Sequence, residues 1–140
     1  MVAASTAILP EDRPRYLMGV GSPTQLFESV ERGMDIFDSV FPTRNARHKN
    51  VFTKTGRENI HRSNFGGKSG PIQEDCGCYT CRNFSRAYIH HMFKSHEMLG
   101  QRLVTLHNVH FIQDLMKGIR ASITQDRFLE YKTAFMAEFL

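Results

Sequence analysis

Apolar and polar positions fall into several distinct rhythms along the chain. Residues 15 to 20, RYLMGV, make a short apolar run that ends at Gly19 and Gly21 and predicts a strand. SPTQLFESVERG follows with helix-start signals. Ser22 is placed as N-cap, Pro23 suits the first helical position, Gln25 completes a capping box and Gly33 is the stop. Leu26, Phe27 and Val30 form its buried face. MDIFDSVF is a second apolar segment of strand length, so the opening reads strand, helix, strand, a βαβ unit of the kind that joins parallel strands. PTRNARHKN is polar, basic and without periodicity, and reads as a loop leaving the C-terminal end of that strand. NVFTKTGRENIHRSNF alternates on either side of Thr55-Gly56 and predicts a hairpin, and GGKSGP a flexible connector. From Arg82 the pattern turns helical. NFSRAYIHHMFKSHEMLG puts Phe84, Tyr88, Met92 and Phe93 on one face and ends at Gly100. A further helix runs from about Thr105 to Ser122 with Val109, Ile112, Leu115, Met116, Ile119 and Ile123 in one stripe. The last spans Asp126 to about Phe139, with Phe128, Leu129, Phe135 and Phe139.

At 140 residues and 41% apolar content, the chain suits one modest domain or a piece of one. A net charge of +4 from eighteen Lys and Arg against fourteen Asp and Glu permits a basic face that meets phosphate. No run approaches eighteen apolar residues, and the start, MVAASTAILPEDRPRY, lacks the positive n-region of a secretory signal, so no membrane and a cytoplasmic location are expected.

The candidate chemistry begins with cysteine. Cys76, Cys78 and Cys81 are the only thiols, spaced C-x-C-x-x-C. An odd count packed into six positions fits a metal site in a reducing compartment better than a disulfide framework. Asp75, Glu74 or one of seven histidines must supply the fourth ligand. His90 and His91 sit just beyond Cys81 on the same helix, which carries at least one of them away. His107 and His110 stand near the start of the next helix, where a helical hairpin closing around Gly100 returns them to the cysteine loop. A closed Cys3His shell leaves no open position for substrate, so one structural Zn2+ per chain is expected. Asp38 falls at the end of a predicted strand, where barrel enzymes place their chemistry. Alternation alone does not choose between it and Asp35.

Taken together, RYLMGVG, ERGMDIFDSVFPTRNAR, CGCYTCRNFSRAYIHH and LHNVHF, in this order and spacing, closely resemble the C-terminal portion of bacterial tRNA-guanine transglycosylase (queuine tRNA-ribosyltransferase). The resemblance runs from about Leu9 over nearly the whole chain. It implies an α/β fold: the C-terminal part of a (β/α)8 barrel with a zinc-binding subdomain and C-terminal helices. It also implies exchange of guanine for a 7-deazaguanine queuosine precursor at the wobble position of the tRNA anticodon. By resemblance Asp38 is the nucleophile that attacks the ribose C1′ to form a covalent RNA intermediate, and net retention parallels retaining glycosidases. Tyr16, Met18 and Gly19 resemble the wall of the purine pocket, although an ordinary strand core also explains the first two. Arg44 and Arg47 resemble the residues that grip the anticodon loop, and His48, Lys49 and Lys54 are placed to extend that basic patch. The resemblance selects His107 as the fourth ligand. It also implies a homodimer in which Phe84, Tyr88, His91 and Met92 form an interface surface; packing within the chain would use the same spacing.

A (β/α)8 barrel needs about 250 residues, and only two strands of one are legible here, so an incomplete barrel is expected. Residues 1–48 are read as its last βα units with the nucleophile loop, 49–110 as the hairpin and zinc-binding subdomain, and 111–140 as helices packing on both. The other catalytic aspartate of the family comes from an earlier part, so the chain alone is expected not to exchange bases. A non-catalytic RNA-binding or dimerisation subunit, or an inactive fragment of the same family, is the alternative.

Overall fold

The computed structural model describes residues 2–140, which divide into two compact units, one up to Phe41 and the other Pro42–Leu140. In the first, a short helix α1 (Val2–Thr6) precedes β1 (Tyr16–Leu17), α2 (Pro23–Glu31) and β2 (Ile36–Phe37). The strands pair in parallel, Tyr16 with Ile36 and Leu17 with Phe37, with α2 as the crossover. This is the predicted βαβ unit. Leu26 and Phe27 are buried as expected, Val30 only half. Ser22 has the extended backbone of an N-cap, but its hydroxyl donates to the Gln25 side chain at 2.8 Å, so the expected capping box does not form. Gly33 does follow the helix, with φ 84°.

The second unit opens with α3 (Phe41–Arg47), a helix where a loop was expected. Its inward face is Pro42, Asn45 and Ala46, too small and polar to register as a hydrophobic period. Proline is tolerated there because a first-turn N–H has no helical partner to lose. The hairpin β3 (Asn50–Thr53) and β4 (Gly56–Asn59) then turns at Lys54 and Thr55, with Val51 opposite Glu58 and Phe52 opposite Arg57.

Beyond α4 (Ser63–Gly66) the cysteine loop enters α5 (Tyr79–Asn83), and α6 (Arg86–Lys94) starts afresh after a break at Phe84 and Ser85. Ser85 caps α6 by accepting the Tyr88 N–H at 3.1 Å. The chain reverses at Ser95–Glu97, where His96 adopts φ 57°, and α7 runs from Met98 to Thr124 before α8 (Phe128–Phe139). Gly100 therefore does not end a helix: it lies in the first turn of α7, which begins seven residues before the expected Thr105. A Cβ there would lie 3.0 Å from Met92 Cβ and 3.1 Å from the Phe93 ring, so its lack of a side chain lets α7 close on α6.

The core of this unit gathers Ala46, Val51, Ile60, Phe65, Ile72, Ile89, Phe93, Leu103 and Val104. On α6 the inward residues are Ile89 and Phe93, while Tyr88 and His91 are exposed and Phe84 and Met92 half-buried. An aromatic ladder seats α8: Phe111 lies 6.0 Å from Phe52 and 6.2 Å from Phe139, which stacks on Phe135 at 5.1 Å between ring centroids.

Candidate functional site

Three separate placements carry chemistry. The first is the cysteine group. Cys76, Cys78, Cys81 and His107 have their ligand atoms all within 4.8 Å of one another, a set in position to bind a metal ion. His107 Nδ1 lies 3.7 Å from Cys76 Sγ, 3.5 Å from Cys78 Sγ and 3.3 Å from Cys81 Sγ. Bonds of about 2.3 Å to sulfur and about 2.0 Å to nitrogen in a tetrahedron put S and N about 3.5 Å apart. The three observed S–N distances bracket that value, so the donor set fits such an ion.

Local structure explains the convergence. Cys78 caps α5 and accepts the Cys81 N–H at 3.3 Å, which turns both thiols the same way. Thr80, wholly buried between them, donates its hydroxyl to the Leu103 carbonyl at 2.7 Å and fixes α5 to α7 one turn before His107. The imidazole is buried and its Nε2 lies 2.7 Å from the Phe52 carbonyl. A carbonyl only accepts, so Nε2 carries a proton, and Nδ1, the nitrogen that faces the sulfurs, is the one that would ligate a metal once its own proton is lost.

The electrostatics favour a cation in the same place. Burial drives the His107 pKa down, but hydrogen bonds to Cys76 and Cys78 outweigh it and push the value up to about 9. The hydrogen bond between Cys78 and Cys81 lowers the first thiol and raises the second, so one ionises readily while its neighbour holds the proton. His110 lies outside the group, paired with Asp114 at 3.0 Å.

The second placement is in the first unit. Asp38 stands one residue past the end of β2, exposed to solvent. Its Oδ1 accepts the Tyr16 hydroxyl at 2.6 Å and the Gly19 N–H at 3.2 Å, both from the end of β1. Gly19 turns its amide there with φ 75°, a conformation costly for any residue with a Cβ. The Tyr16 hydrogen bond, followed by that from Gly19, holds the Asp38 carboxyl below the usual carboxylate range, and the same contact raises the Tyr16 phenol. Asp35 is occupied differently: its carboxylate accepts the Arg15 N–H at 2.8 Å and closes the strand entry. Strand alternation alone left these two aspartates undecided, the resemblance pointing to Asp38, and neither tyrosine spacing nor alternation pointed to the Tyr16–Asp38 bond. Met18 is 73% exposed beside it and touches neither carboxylate through a polar atom.

The third is α3. Arg44 and Arg47 are both exposed, and their spacing of three places them side by side on one helical face. His48 Nδ1 lies 2.8 Å from the Arg44 carbonyl and covers the end of that helix. Lys54 does not extend this patch freely, because its ammonium pairs with Asp75. A residue the sequence reading missed lies behind α3: Asn108, wholly buried, bonded to Pro42, Asn50 and Phe52. Its one signal was an amide directly after His107, in line with the apolar stripe of α7.

Residues 1–140 match the family model described as queuine tRNA-ribosyltransferase. The queuine tRNA-ribosyltransferase of Desulforudis audaxviator (strain MP104C) is 55% identical over 130 residues, 93% of this chain and 35% of its own. That of Thermoanaerobacter pseudethanolicus (strain ATCC 33223 / 39E) is 51% identical over 139 residues, 99% of this chain and 37% of its own. That of Desulforamulus reducens (strain ATCC BAA-1160 / DSM 100696 / MI-1) is 53% identical over 132 residues, 94% and 36% respectively. The chain thus spans about a third of the length of the curated relatives it matches. Among the described residues, no helix is long and apolar enough to cross a membrane.

Proposed function

Because the chain belongs to the queuine tRNA-ribosyltransferase family, we propose that it is the nucleophile-bearing, C-terminal portion of a tRNA-guanine transglycosylase. Its substrates are the tRNA anticodon loop and a purine, guanine or a 7-deazaguanine, exchanged at the wobble nucleotide. The observation that carries this reading is the Asp38 carboxylate at a strand end, with one oxygen held by the Tyr16 hydroxyl and the Gly19 amide.

Two donors on Oδ1 fix the carboxylate's rotation and keep it ionised at neutral pH, leaving Oδ2 to attack. Oδ2 forms a bond to C1′ as the C1′–N9 bond breaks, and that electron pair departs with guanine. The incoming base loses its N9 proton, matching the one the departing guanine takes up, attacks C1′ from the opposite face to the ester, returns the electron pair to Asp38 and restores the original configuration. Tyr16 and Met18 supply a flat apolar flank for the purine, and Gly19 admits its edge close to the backbone. Arg44 and Arg47 bind anticodon phosphates and exposed base edges with planar, permanently charged forks.

Zinc suits the Cys76, Cys78, Cys81 and His107 donor set, and supplies structure only: four protein ligands close its shell and pin the cysteine loop to α7. The parallel β1–β2 pair with its α2 crossover supports a (β/α)8 barrel completed by the rest of a longer protein, with residues 1–48 as its last βα units. In the assembled, cytoplasmic enzyme, Tyr88 and His91, with half-buried Phe84 and Met92, form the surface for a second copy.

The test is trapping. Wild-type chain supplemented with the N-terminal part of a relative, tRNA and free base should give an RNA–protein adduct on a denaturing gel, and Asp38→Asn should give none. An adduct that survives the substitution removes Asp38 as nucleophile. Radiolabelled guanine entering tRNA with the 140-residue chain alone would remove the need for the missing part.

A further inference from the structure

His107 and Asn108 are consecutive on α7, both wholly buried, yet they face different neighbours. His107 turns Nδ1 to the cysteines and Nε2 to the Phe52 carbonyl at 2.7 Å. Asn108 accepts the Phe52 N–H at 3.1 Å and donates to the Asn50 carbonyl at 3.0 Å and the Pro42 carbonyl at 3.1 Å. Both backbone groups of Phe52 are thereby taken from one side by side chains of α7. Phe52 stands opposite Arg57 in the hairpin, and its outward groups would otherwise form an open strand edge. Pro42 lies in the first turn of α3, the helix that carries Arg44 and Arg47.

Asparagine alone suits these three positions: aspartate lacks the donors, and glutamine adds a methylene in a space with no exposure. An unmade bond here would leave the Pro42 or Asn50 carbonyl without this donor, and the Asn108 amide, a buried side chain, without a partner, whereas among the described residues every buried side-chain N and O atom has one.

We propose that Asn108 is a positioning residue that couples the metal centre to α3, so that metal binding sets the placement of Arg44 and Arg47 and with it affinity for the anticodon loop. The inference rests on the reading of those arginines as RNA-binding. The metal fixes His107, His107 and Asn108 share one helical turn, and Asn108 holds the first turn of α3. By linkage, RNA and metal must each tighten the binding of the other by the same factor, and couplings of this kind run from roughly fivefold to a hundredfold.

Two readouts keep the proposal and its premise apart. The first is amide hydrogen exchange over residues 42–48 in the 140-residue chain, zinc-loaded and chelator-stripped. Exchange should accelerate on stripping, and should already be fast in zinc-loaded Asn108→Leu and Asn108→Asp that retain about one zinc per chain. Unchanged protection in stripped wild type, or wild-type protection in both loaded variants, overturns the coupling. Stripping needs no substitution, so that arm stands even if a variant fails to fold. The second is affinity for an anticodon stem-loop RNA, expected to fall at least about fivefold on stripping wild type and in loaded Asn108→Leu, with no further loss when that variant is stripped. Equal affinity in all four samples overturns the proposal. Arg44→Ala and Arg47→Ala, loaded with zinc, test the premise: RNA affinity that ignores both removes the arginine reading, while the exchange result still decides whether Asn108 links metal and helix.

Discussion

Replacing Arg86 with alanine should destabilise the second unit more than any change at a comparably polar position, because its guanidinium is a junction rather than a surface charge. Nε donates to the Pro71 carbonyl at 3.0 Å, Nη1 to Glu58 Oε2 at 2.9 Å and Nη2 to the Ile72 carbonyl. The Arg86 carbon Cζ also sits 5.1 Å over the Phe65 ring. The side chain is 12% exposed and its Glu58 partner 31%, which places the pair between a surface bridge, worth under about 1 kcal/mol, and a buried one, whose rupture costs about 3–5 kcal/mol. Two charge-assisted bonds to main-chain carbonyls, one of them on a residue with no exposure, put the expected loss at about 3 kcal/mol. With a urea slope of about 2 kcal/mol/M, the unfolding midpoint of the metal-loaded chain should fall by about 1.5 M. Arg86→Lys should lose nearly as much, since an ammonium cannot span three acceptors, whereas Glu58→Gln, which keeps an acceptor, should lose about 1 kcal/mol. A midpoint for Arg86→Ala within about 0.5 M of wild type would refute the junction and assign the hold on Pro71 and Ile72 to the buried Ile72 side chain.

Tyr16→Phe should raise the Asp38 pKa toward the ordinary carboxylate value, read by carboxyl carbon shifts against pH. The sign follows from the depressed folded value: the contribution to stability is present above the unfolded pKa and is lost as pH falls through the folded one, so the variant should be less stable than wild type at neutral pH and converge with it in acid. An Asp38 titration that does not move would discard the Tyr16 hydrogen bond as its cause. His107→Ala should drop bound metal well below one per chain by elemental analysis while His110→Ala, whose ring faces Asp114, leaves it unchanged; the reverse pattern would exchange their roles. Ile89→Ala should cost about 2–5 kcal/mol in chemical unfolding, against under about 1 for Tyr88→Ala on the outer face of the same helix. Equal costs would mean that α6 does not face the core as described.

What the sequence disclosed and what it hid follow from the range of the interactions. The βαβ unit was legible because two short apolar runs flank a helix with proline at its start and glycine at its end, all local signals. The C-x-C-x-x-C spacing announced a metal site for the same reason. Spacing alone left His107 and His110 open; the resemblance selected His107, and the fold sends its ring to the Phe52 carbonyl and that of His110 to Asp114. α3 was invisible because its inward face is proline, asparagine and alanine, and its support comes from Asn108, 66 residues from Pro42. Gly100 misled because glycine marks both helix ends and close helix approaches. The true reversal, at His96 with φ 57°, lies in KSHE, a stretch with no glycine or proline to mark it. Ser85, by contrast, was a readable N-cap that a continuous helical stripe concealed. The Arg86 junction gathers partners from residues 58, 65, 71 and 72, and no periodicity could have shown it.

The two strand ends of the first unit explain why a well-held carboxylate is not by itself an active site. Asp38 has its rotation and ionisation set by Tyr16 and Gly19, yet it lies in solvent, and Tyr16, Met18, Ile36 and Val40 are exposed by 51%, 73%, 49% and 58% around the same strand ends. In water the carboxylate is solvated and its interactions are screened. Excluding water therefore requires a cover over those apolar residues, and in the relatives that share this sequence about two thirds of the length lies outside the part it matches. The preorganisation is encoded here, in three residues within one βαβ unit. The dry surroundings that would make it catalytic must come from elsewhere in the assembled protein.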